Sequence, residues 1–318
     1  MTGVDPRVVA LGGGHGLAAS LTALRRVTSN LTAVVTVADD GGSSGRLRRE
    51  LGVLPPGDLR MALAALCGDD EWGRTWSDVL QHRFAGDGEL SGHSVGNLLI
   101  VALWERLQDP VAGLDWVARL LGAHGRVLPM AAVPLDIEAE VLVGPGELVT
   151  VRGQVAVAST PGRVVAVSLV PPEPPACVEA LEAVRVADWV VLGPGSWFTS
   201  VIPHLLVPAM REALVSTSAA RVLVLNLRPQ PGETDGFSAE NHVEVLLAHA
   251  PELAFDAVIA DRSEVDDPRG LSDLCRTLGA ELVIADVAAA DGSARHDPER
   301  LASVFGEVLG RGRIGPWR

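Results

Sequence analysis

Short runs of β-branched and apolar residues recur along the chain, each running into a glycine-rich or polar turn and then a helical pattern. Arg7–Leu11, Leu31–Ala38, Asp188–Leu192, Ala220–Leu227, Asp256–Asp261 and Glu281–Asp286 read as strands. Runs of this length, apolar with little alternation, predict strands covered on both faces of a parallel sheet. Helical patterns fall at Leu17–Val27, Leu59–Cys67, Ser77–Phe84, Val95–Leu107, Ala239–His249, Leu271–Leu278 and Pro298–Leu309. Such alternation confines the chain to α/β architectures. The expectation is one three-layer, Rossmann-like α/β domain with a mostly parallel sheet, spanning residues 1–318.

The middle departs from this pattern. From about 127 to 175, Pro and Gly punctuate the short strands Ala139–Val143, Leu148–Val157 and Arg163–Val170. This predicts a small antiparallel, β-rich insertion, closed by the stiff connector Pro171–Pro175.

Composition removes several chemistries. All 26 basic residues are arginine, and the chain has neither lysine nor tyrosine. A lysine-dependent P-loop, Schiff-base catalysis and a Tyr/Lys reductase site are therefore excluded. Any anion must be held by arginine, backbone N–H groups and helix N-termini. The net charge of −14 argues against a broad nucleic-acid surface. Three widely spaced cysteines fit reduced thiols, and no apolar stretch is long enough to span a membrane. A soluble cytoplasmic protein is expected.

In a parallel sheet, ligands gather at the carboxyl ends of the strands. After the first strand comes Gly12-Gly13-Gly14-His15-Gly16, a loop that lets backbone approach a phosphate. Its Gly14-x-Gly16-x-x-Ala19 pattern also matches a dinucleotide fingerprint, with Asp39 in range of a ribose. After the second strand, residues 38–49 read as a loop holding Asp39, Asp40, Ser43, Ser44 and Arg46. Asp39, Asp40 and Asp58 are candidate Mg²⁺ ligands beside a diphosphate that Arg46 grips. Asp58 also reads as a helix N-cap. His93 and Asn97 share the start of a later helix.

Gly193, Gly195, Ser196 and Thr199 form a second phosphate cradle, beside which Trp197 and Phe198 either stack on a ring or join the core. Asn226 and Thr234 follow the next strand, and Arg295 precedes the last helix. Asp297 and Pro298 read as that helix's N-cap and first residue.

Together these loops strongly resemble the YvcK family, often called gluconeogenesis factor, within the CofD-like superfamily. The matching stretches are Leu11–Leu17, Val35–Arg60, Gly92–Asn97, Gly193–Pro203 and Pro231–Phe237, in collinear order. The resemblance implies a CofD-like fold and a nucleotide ligand. By position it places Gly12, Gly13, Gly14, Asp39, Asp40, Asp58, Asn97, Gly195, Ser196 and Asn226 around nucleotide phosphates, and Arg295 at a nucleotide sugar. YvcK-type chains often carry Tyr in the helix before the strand at Glu281, where the resemblance places Cys275 or its neighbour here, which implies a lost ring contact.

Three functions follow as expectations. The first is a UDP-N-acetylglucosamine-type binding regulator of cell shape and cell-wall synthesis in gluconeogenic growth. The second is a CofD-like, Mg²⁺-dependent phospholactyl transferase with a nucleoside-diphosphate-linked donor. The third is an NAD(P)-binding protein. A homo-oligomer and a cell-wall or regulatory protein partner are also expected.

Overall fold

The computed structural model describes residues 5–230 and 232–310. Ten strands form two sheets. The first three are β1 (Val8–Gly12), β2 (Leu31–Val35) and β3 (Arg126–Pro129). Then come β4 (Asp136–Gly144), β5 (Glu147–Arg152) and β6 (Arg163–Val170). The chain continues through β7 (Trp189–Leu192), β8 (Ala220–Val224), β9 (Ala257–Asp261) and β10 (Glu281–Ala285). Seven strands make a wholly parallel sheet in the order β10-β9-β8-β7-β1-β2-β3, flanked by helices. The other three make an antiparallel sheet in the order β5-β4-β6.

The apolar runs explain the central strands. Every residue of β1, β7 and β9 is buried, and Leu11, Val34, Val191, Leu223 and Val258 have no accessible surface. The edge strand β10 is only partly covered. From β1 the chain first builds outward through β2 and β3, then returns to add β7–β10 on the other side. The strand order therefore reverses between β1 and β7. A crevice must open there, because the connections leave in opposite directions.

Several boundaries move. The predicted 38–49 loop is mostly the helix Gly42–Leu51. Its Gly and Ser content disfavours a helix, but Ser43, Ser44, Gly45 and Leu47 are buried. Gly52, at φ 67°, closes it by donating to the Arg48 carbonyl; packing overrides propensity. The predicted helix at Ser77–Phe84 runs instead from Glu71 to Gln81, because Asp70 caps its start by accepting from the Gly73 N–H at 2.7 Å.

The insertion is also shorter than expected. Residues 126–129 pair with β2 in the main sheet, so the antiparallel excursion begins beyond them. Its ends lie side by side, since the Ala132 N–H donates to the Pro175 carbonyl (2.9 Å) and the Cys177 N–H to that of Met130 (3.3 Å). The predicted strand Leu148–Val157 stops at Arg152, and the chain then winds into the short helix Gln154–Ser159. The positive φ of Gly153, 103°, makes that break. Pro231, in one of the family-like stretches, lies outside the described residues.

Candidate functional site at the sheet switch point

A crevice of about 640 Å³ opens at the carboxyl ends of β1 and β7. One wall is the turn from β1 into the helix Gly14–Leu24. Gly13 is its N-cap and supplies no side chain, and the first turn carries no acidic residue. The Gly14 N–H is taken by the Asp58 carboxylate, which leaves the other N–H groups of that turn and the positive end of the helix dipole for an anion. Gly14 is left-handed, at φ 57°. A Cβ on Gly16 would overlap the Pro194 carbonyl and lie 2.6 Å from Gly195 Cα, so only glycine lets the two turns approach. Underneath, the Thr36 hydroxyl and His204 Nε2 reach the Gly12 carbonyl at 3.2 and 3.3 Å. Burial pushes His204 down to about 4, so the imidazole is neutral.

The facing wall is the turn after β7, including Gly195, Ser196 and Ser200. Asn226, from the end of β8, clamps it by accepting from the Gly195 N–H and donating to the Gly195 carbonyl, each at 2.9 Å. Asn226 thus borders the crevice and fixes its wall. Beyond the turn, Trp197 and Phe198 are buried core residues, edge-on to His242 and Phe237 respectively. Of the two readings of these aromatic rings, the core one holds.

Asp58 lies beside the β1 turn and lines the crevice, whereas Asp39 lies against Gly57 and Gly41 and does not line it. Asp58 sits in the first turn of the helix Pro56–Ala65, whose N-cap is Pro55; its expected N-cap role is corrected. A Cβ on Gly13 would come 2.6 Å from Asp58 Oδ2, and one on Gly57 would come 2.6 Å from Asp39 Oδ2. Burial, then the Asp39 charge, pushes Asp58 up to about 7, against the Gly14 N–H and the Arg60 charge. Asp39 Oδ1 accepts from the Gly41 N–H at 2.9 Å.

Asp40 points elsewhere. Its Oδ1 accepts from the Val155 N–H at 3.0 Å, at the start of the insertion's helix. Among the described residues, no three His, Cys, Asp or Glu side chains converge as a metal cage. Mg²⁺ binds through one or two carboxylates only when phosphate oxygens complete its shell, so a cation at Asp58 and Asp39 would depend on a bound phosphate.

A buried polar chain runs away from this pair. Ser43 Oγ meets His93 Nδ1 at 2.9 Å and accepts from Asn97 Nδ2 at 3.0 Å. Asn97 Nδ2 also reaches Ser44 Oγ at 3.5 Å, and Arg60 Nε donates to Asn97 Oδ1 at 3.0 Å. Burial, then the charge of Arg46, lowers the pKa of His93. Arg60 is 3% exposed and its Nη1 has no hydrogen-bond partner. Burial, then the Arg83 charge, brings its pKa down to about 10. Ser43, Ser44, His93 and Asn97 therefore form a network beneath the carboxylates and do not line the crevice itself.

Other expected residues divide. His15, Gly193 and Arg295 lie at the β1 turn, the β7 turn and the far rim. Arg295 Nη2 is paired with Asp291 at 2.8 Å. The rim is held by Asp261, whose Oδ2 accepts from the Val287 and Ala288 N–H groups at 2.7 and 2.8 Å. Asp297 Oδ1 caps the last helix as expected, accepting from Glu299 and Arg300. Arg46 instead reaches the Ser91 carbonyl at 2.6 Å, away from the crevice. Thr199 is buried, and the hydroxyl of buried Thr234 accepts from the Gln230 N–H within its own loop. Cys275, one candidate for the expected ring-contact position, has no exposed surface and does not line the crevice.

Sequence reasoning missed Arg60, Gln154, Arg228 and His296. Arg60 closes the longest family-like stretch, which was a usable signal; the other three, which line the crevice, carry no local motif.

The model of the family described as 2-phospho-L-lactate transferase CofD matches residues 8–293. A putative gluconeogenesis factor of Mycobacterium tuberculosis is 56% identical over 310 residues, covering 96% of this chain and 90% of that protein. The gluconeogenesis factor of Listeria monocytogenes is 35% identical and covers 96% of each chain. A crystal structure of a UPF0052-family protein from Bacillus halodurans superposes with a TM-score of 0.85 at 32% identity, covering 95% of this chain and 99% of that one. With its sheet order, glycine turns and nearly full-length matches, the chain belongs to the CofD family and, within it, to the YvcK-type proteins called gluconeogenesis factors.

Proposed function

We propose that the crevice binds a nucleoside-diphosphate-linked sugar of the UDP-N-acetylglucosamine type. In this reading the chain is a ligand-reading regulator of cell shape and cell-wall synthesis during gluconeogenic growth. The observation that carries the binding step is the pair of turns at Gly13–Gly16 and Gly195–Ser196, facing each other across one crevice of about 640 Å³. That volume is within the range of small-molecule sites. A diphosphate in this crevice meets the N–H groups of the first turn that Asp58 does not take, with room for a group at each end. Asp58, with the Asp39 charge beside it, would hold a Mg²⁺ ion that offsets the diphosphate charge, and Asn226 keeps the second turn in place.

Calorimetric titration with UDP-N-acetylglucosamine, UDP, GDP and NADH, each with and without Mg²⁺, tests the reading. Saturable binding of the UDP ligands, strengthened by Mg²⁺, is the expected result. Binding of NADH alone, or of none of the four, overturns it.

The carboxylate pair also favours a second reading, a CofD-like transferase. A carboxyl near neutral pKa beside a second carboxylate can hold a cation or exchange a proton at pH 7. That reading requires a Mg²⁺-dependent product from a nucleoside-diphosphate-linked donor and an acceptor, detectable by mass spectrometry.

A further inference from the structure

The antiparallel excursion sends one described residue to the crevice. Gln154, the first residue of the helix Gln154–Ser159, is half-buried and lines the cavity with Gly13, Ser196 and Arg295. The six-residue helix is held from both sides of the crevice. On the β2 side, Asp40 accepts from the Val155 N–H, and a Cβ on Gly41 would stand 2.9 Å from Val155 Cγ2. On the β8 side, a Cβ on Gly232 would overlap the Ala158 carbonyl and lie 3.4 Å from Ser159 Cα. From within the excursion, Gly153 donates to the Ile137 carbonyl at 2.8 Å, and a Cβ there would overlap the Asp40 carboxylate. Three glycines and one carboxylate, from three separate segments, thus fix where Gln154 sits.

The chemistry of Gln154 differs from that of the phosphate turns. Its neutral amide offers a donor and an acceptor together, which suits a hydroxyl or an acetamido group better than a diphosphate. We infer that Asp40 is a latch that seats the helix Gln154–Ser159 at the crevice, and that Gln154 is a specificity-determining residue reading the sugar carried beyond the diphosphate. The sugar half of this inference rests on the nucleotide-sugar reading above. Asp40 acts through the helix and is a positioning residue.

Hydrogen exchange over residues 153–160 and calorimetry with UDP-N-acetylglucosamine and UDP test both halves in Asp40→Ala, Asp40→Asn and Gln154→Ala. Asp40→Ala is expected to speed exchange at Val155 and to weaken UDP-N-acetylglucosamine roughly fivefold, with UDP little changed. Asp40→Asn keeps the Oδ1 acceptor and retains wild-type exchange and affinity. Gln154→Ala reproduces the loss for the sugar nucleotide with exchange unchanged. Asn as damaging as Ala makes the charge, and so a cation, the role of Asp40 and overturns the latch. Equal losses for UDP and UDP-N-acetylglucosamine in Gln154→Ala overturn the specificity role. If the wild type binds neither nucleotide, the specificity role falls with the ligand reading, while exchange alone still decides the latch.

Discussion

Asp58 offers a direct test of how the crevice trades stability for binding. Its carboxyl is pushed from 3.8 to about 7, chiefly by burial and then by Asp39. The folded-state value lies above the unfolded one, so the unfolded chain loses this proton more readily. The resulting penalty is absent below the unfolded value of 3.8, grows as pH rises and levels off above about 7. At its plateau a shift of this size costs about 4 kcal/mol. Asp58→Asn keeps the shape and an acceptor for the Gly14 N–H but removes the ionisation. The variant is expected to be more stable near pH 8 by about 4 kcal/mol, or roughly 6 °C in Tm for a chain of this length. The gain shrinks steadily toward pH 4. Thermal and urea unfolding of both proteins across this range measure it, and calorimetry measures the matching loss of Mg²⁺-dependent nucleotide binding. A variant no more stable than wild type near pH 8, or a gain equal at pH 5 and 8, refutes the reasoning.

Gly16→Ala places a methyl against the backbone of Pro194 and Gly195, so it is expected to cost about 2 kcal/mol or more and abolish nucleotide binding, read by thermal unfolding and calorimetry. Asn226→Ala strips both hydrogen bonds from Gly195 and is expected to cost about 2 kcal/mol, with a larger fractional loss of affinity than of stability. Asp261→Ala leaves the Val287 and Ala288 N–H groups without their carboxylate and is expected to cost about 3 kcal/mol, with faster hydrogen exchange over 287–296. Unchanged exchange there would show that Asp261 does not hold the rim.

Much of the fold was legible because the signal was local. The apolar runs at Val8–Gly12 and Ala257–Asp261 could only be buried strands, and the helices Val95–Leu107 and Ala239–His249 begin and end where their patterns do. The helix Gly42–Leu51 was illegible because its residues favour a loop and only distant packing makes them helical. The site was legible as a set of loops but not as a geometry. Asp39 and Asp40 are neighbours of the same type, yet their side chains find different partners. One carboxylate faces Asp58; the other finds the Val155 N–H, 115 residues away. Arg46 failed for a related reason, since its partner is a carbonyl in a turn that no local pattern announced.

The side-by-side ends of the antiparallel excursion have a consequence for how such a chain can change. Ala132 with Pro175, and Met130 with Cys177, close the excursion at its neck, so its length is uncoupled from the register of β3 and from the helix that follows. It behaves as a cassette plugged into the crossover that returns the chain from β3 to β7. Residues can be added or exchanged there without re-threading any strand, and an exchange at Gln154 alters the side chain presented to the crevice. On the reading proposed above, the turns that take the diphosphate and the helix that reads the sugar are then free to diverge at different rates.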